Sequence, residues 1–533
     1  MSVAKHPVPA DNKQLAATMG KSAVFGVIAN CVQVGSRLVT VPIVIHHLGL
    51  DGYGIWNIVM TTATYMRFGS VGVKAAFQKY VAEATGNGDY ERANKLLSTG
   101  CAAMLVLSIA GLIPVAIFSR QLASFAGVPP EFLRSAAGAI TVLALIMLMA
   151  NFGAAYEAIV TGGHRIDLVR KFTTFLTVAE AVAIVIVLHL GYGLFAMACV
   201  MGASELVFIL CCYIFSHRVV PEIRLGMQYL TKSVGYELFR YAGSYQLVNI
   251  LEVLYGSIVP FAILRTFGAN SAGVYAVVTR VVTSASMLQE SFLAPILSAG
   301  AMVHASGVQE QMRRLIVKAF KVTLALTLFL YGFISMFGTV MIYAWTGEAE
   351  ASIRIALWLV CVTCFFRSFS VLSLVLYRVS GKGLLDNIRQ VLRIVIILVV
   401  ALFAPKLGFY GVLSGLAFAE MAGMIFMLIA LTKTFRAFRA RMLLPDTVRL
   451  TVATIAILGA GLVASHVPLP GDARGRLLAT LTLAEISLAC LIAAWPSLQL
   501  TGSISVAEWA ALFGVFYRRA PHAAVPLGQE ANK

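Results

Sequence analysis

The chain has 533 residues, of which 59% are hydrophobic and only 12% charged, with a mean hydropathy of +0.86. No water-soluble domain hides that much apolar surface, so the composition excludes a soluble protein and predicts a polytopic membrane protein. The net charge of +17 sits in short loops, one loop in two, which is a membrane-topology pattern and not a nucleic-acid footprint.

The polar N-terminal segment (1–21) carries Lys5, Lys13 and Lys21 and lacks the short apolar core and small-residue cleavage site of a removable signal peptide. Apolar runs follow near 22–46, 53–82, 97–119, 136–160, 172–189 and 193–216. A basic, partly amphipathic segment (217–240) comes next and is expected to lie along the membrane surface. Further runs lie near 241–264, 272–303, 317–345, 354–377, 388–404 and 408–432. A basic loop (433–446) leads to two last runs near 447–465 and 477–496, within 447–496, and to a tail (497–533) whose stretch Ile504–Tyr517 is expected to lie on the surface as well. Each run supplies roughly the 20 residues a crossing needs, which predicts an all-α protein of about fourteen transmembrane helices. With the N-terminus inside, 28 Lys and Arg fall in inside segments, 7 in outside segments and 6 within spans. That bias predicts that both termini are cytoplasmic.

The second half of the chain repeats the first. VPIVIHHLGLDGYGIWNIV (Val41–Val59) returns as VPFAILRTFGANSAGVYAVV (Val259–Val278), pairing Pro42 with Pro260 and Gly54 with Gly273. GDYERANKLL from Gly88 returns as GVQEQMRRLI from Gly307, and LGYG (Leu190–Gly193) as LGFYG (Leu407–Gly411). The repeat holds an even number of spans, so the copies share one orientation. The expectation is two pseudo-symmetric six-helix bundles, 22–216 and 241–432, plus two C-terminal helices. A duplicated hydrophobic unit of this kind points to a transporter with its site between the copies.

The turn HLGLDGYGIW (His47–Trp56), between a lead helix and a long second helix that ends in GNGDYERAN (Gly86–Asn94), resembles the polysaccharide transporter family. These are the lipid-linked oligosaccharide flippases of the multidrug/oligosaccharidyl-lipid/polysaccharide superfamily. The resemblance covers roughly 20–430. It implies two bundles around a central cavity that opens to alternate sides, with the first, second, seventh and eighth helices lining it. It also implies a lipid-linked oligosaccharide as substrate in the bacterial cytoplasmic membrane, and possible polymerase and chain-length partners in a polysaccharide assembly machine.

Charges within the membrane need a reason, since a Lys or Arg at a helix centre costs about 2.5–3.5 kcal/mol on insertion scales. Arg37 lies in the first span; Arg67 and Lys74 share a stripe of the second with Thr64 and Gln78. Glu252 lies in the seventh span, Arg280 and Glu290 in the eighth, and Arg367 in the tenth. These seven are the candidates to line a cationic cavity for an anionic headgroup, because the Arg fork donates two hydrogen bonds to a phosphate. The repeat offset places Glu252 on the face that matches Arg37, so a buried Arg37–Glu252 pair locking two helices is the structural alternative. Arg389 and Arg393, near the inner end of the eleventh span, are expected to snorkel to the interface. Glu205 and Glu420 occupy similar places after the LG turns and are candidates for ion coupling or for neutral helix contacts.

No phosphate loop, HExxH, GxSxG or clustered His/Cys set is present, so neither ATP hydrolysis nor a metal or cofactor is expected, and no catalytic residue is assigned. Cys361 and Cys364 form a CxxC inside a span and read as small apolar filler. Two other classes compete with the flippase. An ion-coupled multidrug antiporter favours intramembrane carboxylates, whereas all seven Asp fall in loops or at span ends. A membrane-embedded polymerase carries a large outer loop, and the outer loops here are short.

Overall fold

A computed structural model describes residues 12–64, 77, 80, 81, 83, 87–163, 165–291, 309–348, 350–379, 384–435, 440–465 and 475–501. Side chains are described throughout these except at 12–31, 63–64, 107, 237–250, 288, 290–291, 309, 374–379, 384, 440–441 and 495. Twelve α-helices run in chain order: α1 (Asn12–Thr64), α2 (Tyr90–Phe125), α3 (Pro130–Gly162), α4 (Ile166–His189), α5 (Leu194–Val219), α6 (Lys232–Ser291), α7 (Gln309–Thr346), α8 (Ala351–Val379), α9 (Leu384–Leu402), α10 (Ala404–Thr434), α11 (Leu444–Ala464) and α12 (Arg476–Leu500). No strand occurs among the described residues.

About fourteen expected crossings correspond to twelve helices among the described residues, because two pairs of expected spans are continuous through a corner. A straight 53-residue α1 would be about 80 Å long, far more than a bilayer. It is interrupted at Gly49 (φ 71°, ψ 173°), a left-handed conformation that glycine adopts without strain. Arg37 and Tyr53 interact electrostatically. In a straight helix they would stand about 24 Å apart, so the chain folds back at the corner. The second copy does the same: α6 is interrupted at Gly268 (φ 84°, ψ 179°).

Eleven of the twelve helices are long and apolar enough to cross a membrane. The exception is α9, which carries Asp386, Arg389 and Arg393 within 19 residues. Its polar face is inside: Asp386, Arg389, Gln390 and Arg393 are buried, while Ile388, Val391, Val395, Leu398 and Leu402 are exposed. This is the reverse of a soluble amphipathic helix, and it suits a surrounding of lipid. Exposed apolar side chains elsewhere, such as Val106, Ile117, Phe175 and Leu491, form the same lipid-compatible exterior.

The internal duplication is repeated in the packing. In the first half α1 packs on α3 and α4, α3 on α2 and α5, and α4 on α5. In the second half α6 packs on α8 and α9, α8 on α7 and α10, and α9 on α10. The last two helices pack on each other and on α7, where Ile457, Ile486 and Cys490 cluster with Phe337.

The halves meet through α1 and α6. Gly54 and Gly273, the matched glycines of the two copies, stand at the contact. A Cβ on Gly54 would lie 2.5 Å from the Gly273 nitrogen, and one on Gly273 would lie 2.2 Å from the Leu50 carbonyl oxygen. Two glycines let the backbones close to this distance, as in packed membrane helices.

The connecting segment after α5 is fixed to the first half. Asn94 on α2 donates to the Glu222 carbonyl at 3.3 Å and accepts from the Arg224 amide at 2.9 Å. Ser98 and Thr99 accept from the Gly226 and Thr231 amides, both at 3.1 Å. Val220 and Ile223 are buried beside Leu97 and Ile159, whereas Met227 is 89% exposed.

Candidate functional site

Two groups of charge lie inside the helical bundle, and they differ in balance. The first is at the seam between the halves. Arg37 stands twelve residues before the Gly49 corner and Arg280 twelve residues after the Gly268 corner. At the helical rise both are about 18 Å from their corners, which is close to mid-depth of a bilayer. Both are partly exposed, and the two guanidiniums are near enough to repel. Neither makes an ion pair with a carboxylate among the described residues. Tyr53, the other group that Arg37 feels, is buried with a hydroxyl that has no hydrogen-bond partner. Arg37 thus feels a second guanidinium from the other copy of the repeat and a buried hydroxyl, and no carboxylate pairs with either arginine among the described residues. Such a set is suited to an oxyanion.

The second group lies within the second half and is balanced. Glu252 on α6 accepts from Arg367 Nη2 on α8 at 3.2 Å. Its other oxygen accepts from the Gln390 amide on α9 and lies 3.6 Å from Arg393 Nη1. Arg393 donates to Gln390 Oε1 at 2.6 Å and to Glu420 on α10. Glu420 also accepts from the Tyr255 hydroxyl at 3.1 Å, and the Arg393 guanidinium lies 3.7 Å from the centre of the Tyr255 ring. Arg389 binds Asp386 through two nitrogens, at 3.0 and 2.8 Å. Three arginines thus meet three carboxylates. Arg393 and Glu420 are each 1% exposed, while Arg367 and Glu252 are 41% and 38% exposed and form the wet edge of the cluster. Beside that edge Gln289 donates to Thr327 and accepts from Ser368 and Tyr331, extending the polar core of α6, α7 and α8.

Several sequence expectations are placed or corrected by this geometry. Arg37 and Arg280 are brought together. Glu252 and Arg367 are also brought together, but with Arg393 and apart from Arg37: no Arg37–Glu252 pair exists, because Glu252 is turned into its own bundle toward α8 and α9. Arg389 and Arg393 do not snorkel. Carboxylates on α6, α9 and α10 stand within reach, and pairing with them replaces the long extension to the interface. Glu420 is matched by Arg393, so it does not stand free, whereas Glu205 on α5 is partly exposed and has a partner of its own. Arg67, Lys74 and the side chain of Glu290 lie outside the described residues. Tyr255, Gln390 and Tyr53 were not expected in either group. For α9 a signal was present: 386, 389, 390 and 393 recur at helical spacing on one face.

Comparison with known proteins agrees with this architecture. Residues 27–178 match the MatE family. The chain is 26% identical over 267 residues to the uncharacterized membrane protein EpsK of Bacillus subtilis (strain 168), a match covering 48% of this chain and 52% of that protein. The chain thus spans about half the length of the curated relative it matches. In fold it is similar to the lipid II flippase MurJ in an inward closed conformation (TM-score 0.68, 12% identity, 93% of this chain and 99% of that one). It is also similar to an inward-facing multidrug resistance MATE family transporter (TM-score 0.61, 15% identity, 77% and 94%) and to a transporter from Pyrococcus furiosus (TM-score 0.55, 16% identity, 79% and 95%). The fold and its duplicated packing define a polytopic helical membrane protein built from two packed repeats. The match to the MatE family covers less than a third of the chain, and the likeness to these transporters of known structure is one of fold.

Proposed function

We propose that the protein is a flippase for a polyprenyl-pyrophosphate-linked oligosaccharide, an O-antigen or exopolysaccharide repeat unit. On this reading the bundles 22–216 and 241–432 alternate around a cationic cavity. The observation that carries it is the approach of Arg37 and Arg280 at mid-depth of the seam, neither paired with a carboxylate among the described residues. A diphosphate supplies the acceptors, and Arg67 and Lys74 are proposed, from the sequence alone, as further cavity residues. The likeness in fold to the lipid II flippase MurJ favours a lipid-linked cargo. Each sugar hydroxyl stripped of water in hydrocarbon costs about 4–8 kcal/mol, so a wet polar path removes the barrier while the lipid tail stays in the bilayer.

The orientation proposed is that of a bacterial inner-membrane protein with both termini cytoplasmic, which puts the Gly49 and Gly268 corners at the outer face. The polymerase and chain-length components of a surface-polysaccharide machine are the proposed partners. The MATE likeness keeps ion-coupled drug antiport as the second reading. It is weakened by the pairing of Glu252 and Glu420 with arginines, which leaves neither as a free carboxylate for a cation.

The deciding experiment is a deletion strain assayed for lipid-linked sugar by leaflet. Accumulation on the inner leaflet, relieved by wild type but not by Arg37→Ala or Arg280→Ala at equal protein level, is expected. Normal export by both variants would refute the cationic-cavity reading.

A further inference from the structure

The corner end of the molecule is closed along the seam between the halves, and a single arginine spans one side of that seam. Arg265, on α6 just before the Gly268 corner, reaches the C-terminus of α2. Its Nη1 donates to the Phe125 carbonyl at 2.9 Å, and its guanidinium lies 4.3 Å from the centre of the Phe125 ring. Beside it the backbones nearly touch: a Cβ on Gly127 would stand 2.8 Å from Arg265 Cα. Carbonyls at a helix C-terminus lack internal partners and carry partial negative charge, so a cation is held there without a carboxylate. On the other side of the seam the link is neutral, from Trp345 Nε1 to the Leu38 carbonyl at 2.6 Å.

Arg265 is nonetheless exposed. With Arg120, Gln121 and Ser124 it lines an open groove of about 720 Å³ with no carboxylate among the described residues of its lining. Neither Arg120 nor Arg265 forms an ion pair among the described residues. Two guanidiniums, an amide and a hydroxyl around open space select a multivalent oxyanion.

We propose that this groove is a second anion site, at the release end, for a diphosphate-type group, and that its occupation unlatches the seam. A diphosphate drawn between Arg120 and Arg265 competes with the Phe125 carbonyl and ring for the Arg265 guanidinium. A phosphate adds to its hydrogen bonds a Coulomb attraction that the neutral Phe125 carbonyl lacks, so the anion binds the open seam, where Arg265 is released, better than the closed one. That difference in affinity drives the opening. When the anion leaves, Arg265 returns to Phe125 and the seam closes behind it. The inference rests on the exporter reading above for the direction of travel.

Hydrogen-exchange mass spectrometry of the full chain in nanodiscs tests it, with inorganic pyrophosphate as the probe. The amides of Ala126, Gly127 and Val128, bonded to the Leu122, Ser124 and Ala123 carbonyls, report the seam. In wild type, saturating pyrophosphate is expected to speed their exchange about two- to fivefold, the change that loss of one exposed cation–π contact carries. Arg265→Ala should exchange fast without pyrophosphate and not respond. Arg265→Lys should respond only at higher concentration, and an Arg37→Ala/Arg280→Ala double variant should respond as wild type does. No response in wild type, or one that survives in Arg265→Ala, overturns the proposal. A response lost in the central double variant also overturns it and leaves the exporter reading intact, since that reading stands or falls on export by the single central variants.

Discussion

Arg37 and Arg280 repel each other across the two copies of the repeat, each twelve residues from its corner glycine, and neither is paired with a carboxylate among the described residues. Like charges held together in a partly dry place destabilise the fold that holds them, and such strain is common where a ligand is expected. Arg37→Gln is therefore predicted to raise the thermal unfolding temperature of the purified protein while lowering export. An unfolding temperature below that of wild type would contradict the repulsion.

The same pair predicts ligand stabilisation. Pyrophosphate at about 100 times its dissociation constant adds roughly 2.7 kcal/mol of stability to a protein that binds it only when folded. Thermal unfolding of wild type in pyrophosphate should rise accordingly. Arg37→Gln/Arg280→Gln should lose most of that rise, leaving only what other sites contribute. Equal shifts in the two proteins would rule out the seam as the principal site.

The Arg393–Glu420 pair predicts the opposite behaviour. Both residues are 1% exposed, so removing one partner strands a buried charge, at a cost of about 3–5 kcal/mol. Arg393→Gln and Glu420→Leu should each unfold well below wild type. The double variant Arg393→Met/Glu420→Leu should recover much of the loss. Additive losses in a double-mutant cycle would show that the pair is not coupled.

Gly54→Ala and Gly273→Ala test the contact between the halves. Each Cβ would meet backbone at 2.5 Å or less, which no side-chain rotation relieves. Overpacking of this kind costs about 1–3 kcal/mol. It should also weaken closure at the corner end, read as faster hydrogen exchange around Leu50 and Ala269. Gly459→Ala, where nothing lies within 4 Å of the added carbon, should leave exchange and unfolding unchanged.

Much of this architecture was legible because its signals are local. The corner glycines return one repeat later, and a duplicated turn needs no knowledge of packing to be seen. Arg37 and Arg280 stand out because charge within an apolar run is costly wherever it occurs. The partner of Glu252 was not legible: it reaches Arg367, 115 residues away, and Gln390, 138 residues away, and which residues meet depends on how three helices are rotated. Arg389 and Arg393 were misread because an arginine near a span end usually reaches for water. Their spacing with Asp386 and Gln390 marked a single polar face, and a polar face on a helix in lipid must turn inward.

The segment between the two bundles is a strap with one end nailed down. Asn94, Ser98 and Thr99 pin its backbone from Glu222 to Thr231, and α6 begins at the next residue. On the alternating reading proposed above, no slack spools out when the bundles rock, and the bend falls where Thr231 hands over to Lys232. A lever with so short a pivot turns a small tilt there into a wide swing at the far, cornered end.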